Sequence, residues 1–200
     1  MDLLFVDMAA VVSLWIFIGV MVGTPGPANL LMMTVGSRFG VMAAMPFNLG
    51  LVFGKFSLNI AMAIGVGVVL SEQTATVTTF KFISAGIMIY LSMRTLGRAR
   101  DTQNETEACP GFFSGIIVHP LNPKAWVMTV LAWSEFGPEL GNIVQQTIVI
   151  CTSFALAQLI LHGLWAAAGR LLSQALGQSV WLNRFLVLLT CSVVLWAVLI

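Results

Sequence analysis

The sequence predicts an all-α integral membrane protein, with six transmembrane helices arranged as two inverted three-helix repeats. Three observations predict it. Hydrophobic residues make up 58% of the chain and charged residues only 8%, with a mean hydropathy of +0.96. A soluble core of this length needs a charged surface, so water is not the main solvent. Six apolar runs approach or exceed the roughly 20 residues that a spanning helix requires. Two of those runs, the first and the fourth, are interrupted by prolines in matching places. One reads Phe17-Ile18-Gly19-Val20-Met21-Val22-Gly23-Thr24-Pro25-Gly26-Pro27, the other Phe113-Ser114-Gly115-Ile116-Ile117-Val118-His119-Pro120-Leu121-Asn122-Pro123. Laid together without a gap, Phe17 falls on Phe113, Gly19 on Gly115, Pro27 on Pro123 and Met32 on Met128.

The first span is expected at about 8–34. Asp2 and Asp7 stand where a cleavable signal would carry Lys or Arg, so this stretch is expected to remain as a span. The others are expected at about 41–69, 80–97, 112–133, 143–169 and 181–200. The second and fifth exceed the minimum, which permits tilt or extension beyond the lipid. Helices suit these runs better than barrel strands, because they are too long and too uniformly apolar to alternate. The longest connector, about 98–111, carries Asp101, Glu105 and Glu107. It divides one membrane domain, 1–200, into repeat one (about 8–97) and repeat two (about 112–200).

Orientation follows from the arginines. Arg38, Arg94, Arg98, Arg100, Arg170 and Arg184 all fall at odd-numbered connectors, on one side of the membrane. The other side has Asp2, Asp7, Glu72, Glu135 and Glu139, with Lys81 near its edge. The positive-inside rule makes the arginine side cytoplasmic and both termini external. Three spans per half then force the second half to run opposite to the first.

Several classes are disfavoured. A net charge of +1 gives no reason to expect nucleic acid. Cys109, Cys151 and Cys191 are scattered and lack metal-ligand spacing, so neither a disulfide nor a metal is expected. The connectors hold no phosphate-binding loop and no room for a nucleotide domain, and no cofactor is expected.

The breaks are the candidate site. Pro25 and Pro27 lack backbone donors and clash with the carbonyls of Met21 and Gly23; Pro120 and Pro123 do the same to Ile116 and His119. In hydrocarbon a freed carbonyl is tolerated only inside protein or beside a water-filled cavity. Gly26 relaxes the backbone between the first two prolines. The simpler alternative is a pair of kinks filled by neighbouring helices. Lys124 follows the second break and Lys55 lies near the middle of span two. A charge at that depth costs about 2.5–3.5 kcal/mol on the insertion scale and normally finds a partner. All eight acidic residues lie in connectors or at the N-terminal edge. A substrate carboxylate is therefore a candidate counter-anion, with freed carbonyls as interim acceptors; permanent carbonyl bonding or snorkelling is the alternative. Thr24 and Asn122 sit in the breaks and lead the neutral polar candidates, ahead of Asn29, Asn48, Asn59 and Tyr90, each of which also suits helix–helix bonding. His119 and His162 are candidates for a proton relay or for structural roles. Gly50 and Gly54 form a small-xxx-small pair that suits packing within or between chains, leaving a homo-oligomer open.

Pro25-Gly26-Pro27, then Gly40, Gly50 and Gly54, then Tyr90-Leu91, then Asn122-Pro123-Lys124-Ala125 resemble the LysE/RhtB amino-acid exporter family. The resemblance covers nearly the whole chain and is strongest over about 12–133. It implies a bacterial inner-membrane exporter of amino acids or their relatives, driven by the proton gradient, with Pro25, Gly26, Pro27, Asn122, Pro123 and Lys124 as the motif positions. Two departures stand out. His119-Pro120 adds an unexpected proline, and Lys55 follows Gly54 where the family more often has a small or acidic residue. That lysine removes the most natural carboxylate proton carrier and disfavours a cationic substrate. The expectation is thus a secondary exporter of small neutral amino acids, its substrate carboxylate meeting Lys124 with Lys55 assisting. Two alternatives are an intramembrane hydrolase using Ser114 as nucleophile and His162 as base, and a non-transporting membrane subunit.

Overall fold

The computed structural model describes residues 7–65, 108–176 and 180–199, with single helical residues at 82, 86, 89, 90 and 93. Every regular element among them is helical. Helix α1 (Met8–Gly23) starts where the Asp7 side chain accepts a bond from the Ala9 amide at 2.8 Å. That carboxylate satisfies a donor that has no intrahelical partner. Helix α2 (Pro27–Phe39) follows after three residues at 59° to α1. Pro27 occupies its first position, where a missing amide costs nothing. Gly40, at φ 88°, makes the turn into α3 (Val41–Ala63), a conformation that favours glycine.

The second break is built on the same plan. Helix α4 (Phe112–Ile116) gives way to turns, and α5 (Pro123–Leu131) again starts on a proline. A π-helical turn (Ala132–Phe136) and a 3-10 turn (Gly137–Leu140) carry the chain to α6 (Ile143–Ala175). Asn142 and Gln145 form a capping box at the start of α6. With 33 residues, α6 is about 50 Å long and exceeds the roughly 30 Å hydrocarbon core. Helix α7 (Val180–Leu199) closes the described chain.

Among the described residues, α3 and the segment Ile143–Leu176 are each long and apolar enough to cross a membrane, and the bent α1–α2 pair makes a third candidate. The expected spans near 8–34, 41–69, 143–169 and 181–200 correspond to α1–α2, α3, α6 and α7. The expected fourth span is divided into α4 and α5 by residues 117–122. The expected third span and most of the connector lie outside the described residues, as do Arg94, Arg98 and Arg100.

Glycines set how closely the helices approach. A Cβ on Gly50 would run into the Phe112 carbonyl oxygen, one on Gly54 into that of Ile116, and one on Gly115 into that of Phe47. The small-residue pair of α3 therefore packs against α4 within the chain. Gly36 and Gly169 do the same for α2 and α6, meeting the carbonyl oxygens of Ala166 and Met33. That contact brings the Arg38 and Arg170 ends of the two helices together. The Asp7 amide meets the Glu139 carbonyl at 3.4 Å, so acidic residues gather at the start of α1. One buried cluster, including Leu14, Ile18, Leu58, Met128 and Phe154, joins α1, α3, α5 and α6; another, including Leu31, Val35, Phe47 and Leu51, joins α2 and α3.

Candidate functional site

The carbonyls released at the first break are met one by one. Thr24 Oγ1 donates to Met21 O at 3.2 Å, and Trp165 Nε1 donates to Gly23 O at 3.3 Å. Asn29 Nδ2 donates to both Val22 O (2.7 Å) and Thr24 O (2.8 Å). Both partners are carbonyls, so the amide nitrogen of Asn29 must face them and its oxygen must face elsewhere. At the second break the Asn122 amide meets His119 O at 3.0 Å, and Trp126 Nε1 meets Pro120 O at 2.8 Å. The Asn122 side chain caps α5 by accepting from the Lys124 amide at 3.1 Å.

Lys124 ties the two breaks together. Its Nζ donates to Thr24 O at 3.0 Å, to Thr24 Oγ1 at 2.9 Å and to Pro25 O at 3.4 Å. All three acceptors belong to the first break, about 100 residues away. Among the described residues no carboxylate pairs with it. Two of these acceptors are carbonyls and the third is the Thr24 hydroxyl, while the carbonyls of Met21 and Gly23 are taken by Thr24 Oγ1 and Trp165. Gly26 makes room: a Cβ there would stand 3.1 Å from Lys124 Cδ and 3.2 Å from Nζ.

A small, partly open cavity lies between the breaks. Gly26, Ala28 and Asn29 line it from the start of α2, and Asn122 and Lys124 from the start of α5. His119, Gln158 and His162 complete its polar wall. Thr24, Pro25, Pro27 and Pro123 shape the two breaks without lining it. Both helix starts carry partial positive charge, which favours an anion near Lys124.

Lys55 is elsewhere. It is 1% exposed and does not line the cavity. Its Nζ donates to Ala125 O at 3.0 Å and to Thr129 Oγ1 at 2.6 Å, both on α5. The ring centroid of Phe154 lies 4.0 Å from the same nitrogen. A cation over an aromatic face replaces some of the hydration lost on burial.

The two histidines come from distant positions and stack, with ring centroids 5.6 Å apart and planes at 20°. Gln158 Nε2 lies 3.3 Å from His119 Nε2. With the amide nitrogen on that side, the imidazole nitrogen accepts and a neutral ring carries its proton on Nδ1. No hydrogen bond joins Ser114 to His162, and the His162 ring lies on His119 instead. Asn48 and Asn59 serve as contacts between helices: Asn48 Nδ2 donates to Leu159 O at 3.1 Å, and Asn59 Oδ1 accepts from Trp133 Nε1 at 3.4 Å. Tyr90 is exposed and takes no part in the cavity.

Six buried side-chain atoms in the described residues have no hydrogen-bond partner. Four of them, Asn29 Oδ1, Gln158 Oε1, His119 Nδ1 and His162 Nδ1, belong to residues that line this cavity. Each buried polar group left unmatched costs about 1–3 kcal/mol, so their convergence marks a place that expects an occupant or water. Sequence reasoning missed Gln158. Its spacing of four from His162 places both on one face of α6, which was the available signal.

The comparisons with known proteins agree with this geometry. The profile of the LysE type translocator family matches residues 18–199. The chain is 28% identical over 150 residues to "Uncharacterized membrane protein YrhP" of Bacillus subtilis (strain 168), covering 68% of this chain and 71% of that protein. No solved structure matches. The family match runs through both breaks and every residue of the polar cavity, and the chain belongs to the LysE type translocator family.

Proposed function

We propose that this protein is a secondary exporter of small neutral amino acids across the bacterial inner membrane, coupled to protons. The observation that carries the reading is Lys124, an ammonium at the join of two broken helices with only carbonyl and hydroxyl acceptors. A substrate carboxylate entering the cavity meets that ammonium and the positive ends of α2 and α5. It displaces weaker neutral acceptors and supplies the missing counter-charge. Among the described residues no acidic side chain lines the cavity, which fits a zwitterion better than a cationic substrate.

The architecture proposed is one membrane domain of six spans, in two inverted halves, with the arginine end cytoplasmic and both termini outside. Matching proline starts at α2 and α5 support it, as does the gathering of Arg38 with Arg170 opposite Asp7 and Glu139. Rocking of the halves about the joined breaks alternates access to the cavity. The stacked His119–His162 pair at the cavity wall is the proposed proton carrier. Lys55 supports α5 from behind, so its influence on substrate is indirect. An efflux screen in reconstituted vesicles, across the neutral amino acids with and without an imposed pH gradient, tests the proposal. Gradient-dependent flux of at least one amino acid is expected; no flux of any would overturn it.

A further inference from the structure

Resting on that reading, we propose that Asn29 Oδ1 and Gln158 Oε1 hold the substrate's α-ammonium, so the site demands a free amino group. Both residues line the cavity that Lys124 lines. Asn29 is 4% exposed and Gln158 fully buried, yet each leaves a carbonyl oxygen without a partner. Each amide nitrogen has a partner within the chain. Asn29 Nδ2 is committed to two carbonyls of the first break, and Gln158 Nε2 to His119. The Asn29 oxygen cannot be exchanged for its nitrogen without losing both bonds; the Gln158 orientation goes with the His119 tautomer protonated on Nδ1. Both are acceptors, and what they lack is a donor.

The cavity is thus polarised. Lys124 and the starts of α2 and α5 bring donors and positive potential. Asn29 Oδ1 and Gln158 Oε1 bring acceptors, and Met21 and Val22 line the wall beside them at the negative end of α1. His162 Nδ1 is unmatched as well. An α-amino acid presents its carboxylate and ammonium on adjacent atoms, which is the charge pattern these walls match. An N-acylated amino acid keeps the carboxylate but loses the cation and two of its three donors. It leaves the acceptors unmatched and is rejected.

The test is counterflow in vesicles with L-alanine, L-serine, L-threonine and L-leucine, each challenged by its N-acetyl derivative. In the wild-type protein the N-acetyl compound is expected to compete at least about tenfold more weakly than the parent, the scale of one hydrogen bond to a charged group. Gln158→Met removes the acceptor at nearly constant length and narrows that gap. Gln158→Glu restores an acceptor and restores the gap. A purely structural role for Gln158 would shift parent and derivative alike. Equal competition in the wild type, or parallel shifts in Gln158→Met, would overturn the ammonium assignment while leaving transport intact. No counterflow of any of the four, with the protein folded, would overturn the exporter reading and this assignment together.

Discussion

The ammonium of Lys124 lies 2.9 Å from the hydroxyl of Thr24 and 3.0 Å from its carbonyl, joining two broken helices that are 100 residues apart. Gly26, directly beside the contact, gives the lysine its room. Each residue by itself is a common membrane feature. Together they form a single polar join, and its first consequence is that removing the lysine removes the site. Lys124→Ala is expected to lower efflux by about ten- to a hundredfold, the loss of one charge-assisted contact. The protein should still reach the membrane and elute as a folded species. Normal efflux from that variant would end the role assigned to Lys124.

Gly26→Ala should act through the lysine rather than through the backbone. Gly26 has φ −165°, extended backbone that alanine adopts freely. Its new Cβ would stand 3.1–3.2 Å from Lys124 Cδ and Nζ, so the side chain must move. Reduced efflux is expected in the single variant, with no further loss when Lys124→Ala is already present. A double-mutant cycle on efflux rates measures that coupling, and additive losses would refute it.

Lys55 and Thr129 should behave as a structural pair. Thr129→Val leaves the buried ammonium with Ala125 O and the Phe154 ring, and should cost about 1–3 kcal/mol. Lys55→Met fills similar space without a charge and should cost less, because an apolar replacement of a buried ion is often close to neutral. Thermal melts in detergent compare the two. A larger loss for Lys55→Met would mean that the ammonium contributes more than its visible contacts.

The α3–α4 contact gives a sharper stability test. Gly50→Leu drives a side chain into the backbone of α4 at Phe112, with no flexible group to yield, and should cost at least about 1–3 kcal/mol. Gly19 has nothing within 4 Å of a built Cβ, so Gly19→Ala should be tolerated. Melting temperatures and membrane yield read both. A tolerated Gly50→Leu would show that α4 is free to move away.

Much of this was legible before any coordinates, for a simple reason. Proline acts on its own helix and needs no tertiary partner, so Pro27 and Pro123 announced both helix starts from sequence alone. Lys124 was legible for the same kind of reason: a charge among apolar residues must find something. Its acceptors were predicted as freed carbonyls, and they are two carbonyls and a hydroxyl of the first break. Lys55 looked like a second substrate contact by the same rule, and the sequence could not tell that α5 and Phe154 surround it. Gln158 passed unnoticed because a neutral amide in a span carries no cost until its partners are known.

The sequence by itself determined the solvent, the helices, the places where they break and the charge without a counter-ion. Each is a local property, written in hydropathy, in proline's missing amide or in the cost of burying one ammonium. Tertiary structure decided which break answers which lysine, that Gly50 and Gly54 pack on α4, and that His119 stacks on His162. It also decided that Asn29 Oδ1 and Gln158 Oε1 are buried with no hydrogen-bond partner among the described residues. Those outcomes depend on distances between residues far apart in sequence, and only packing sets such distances.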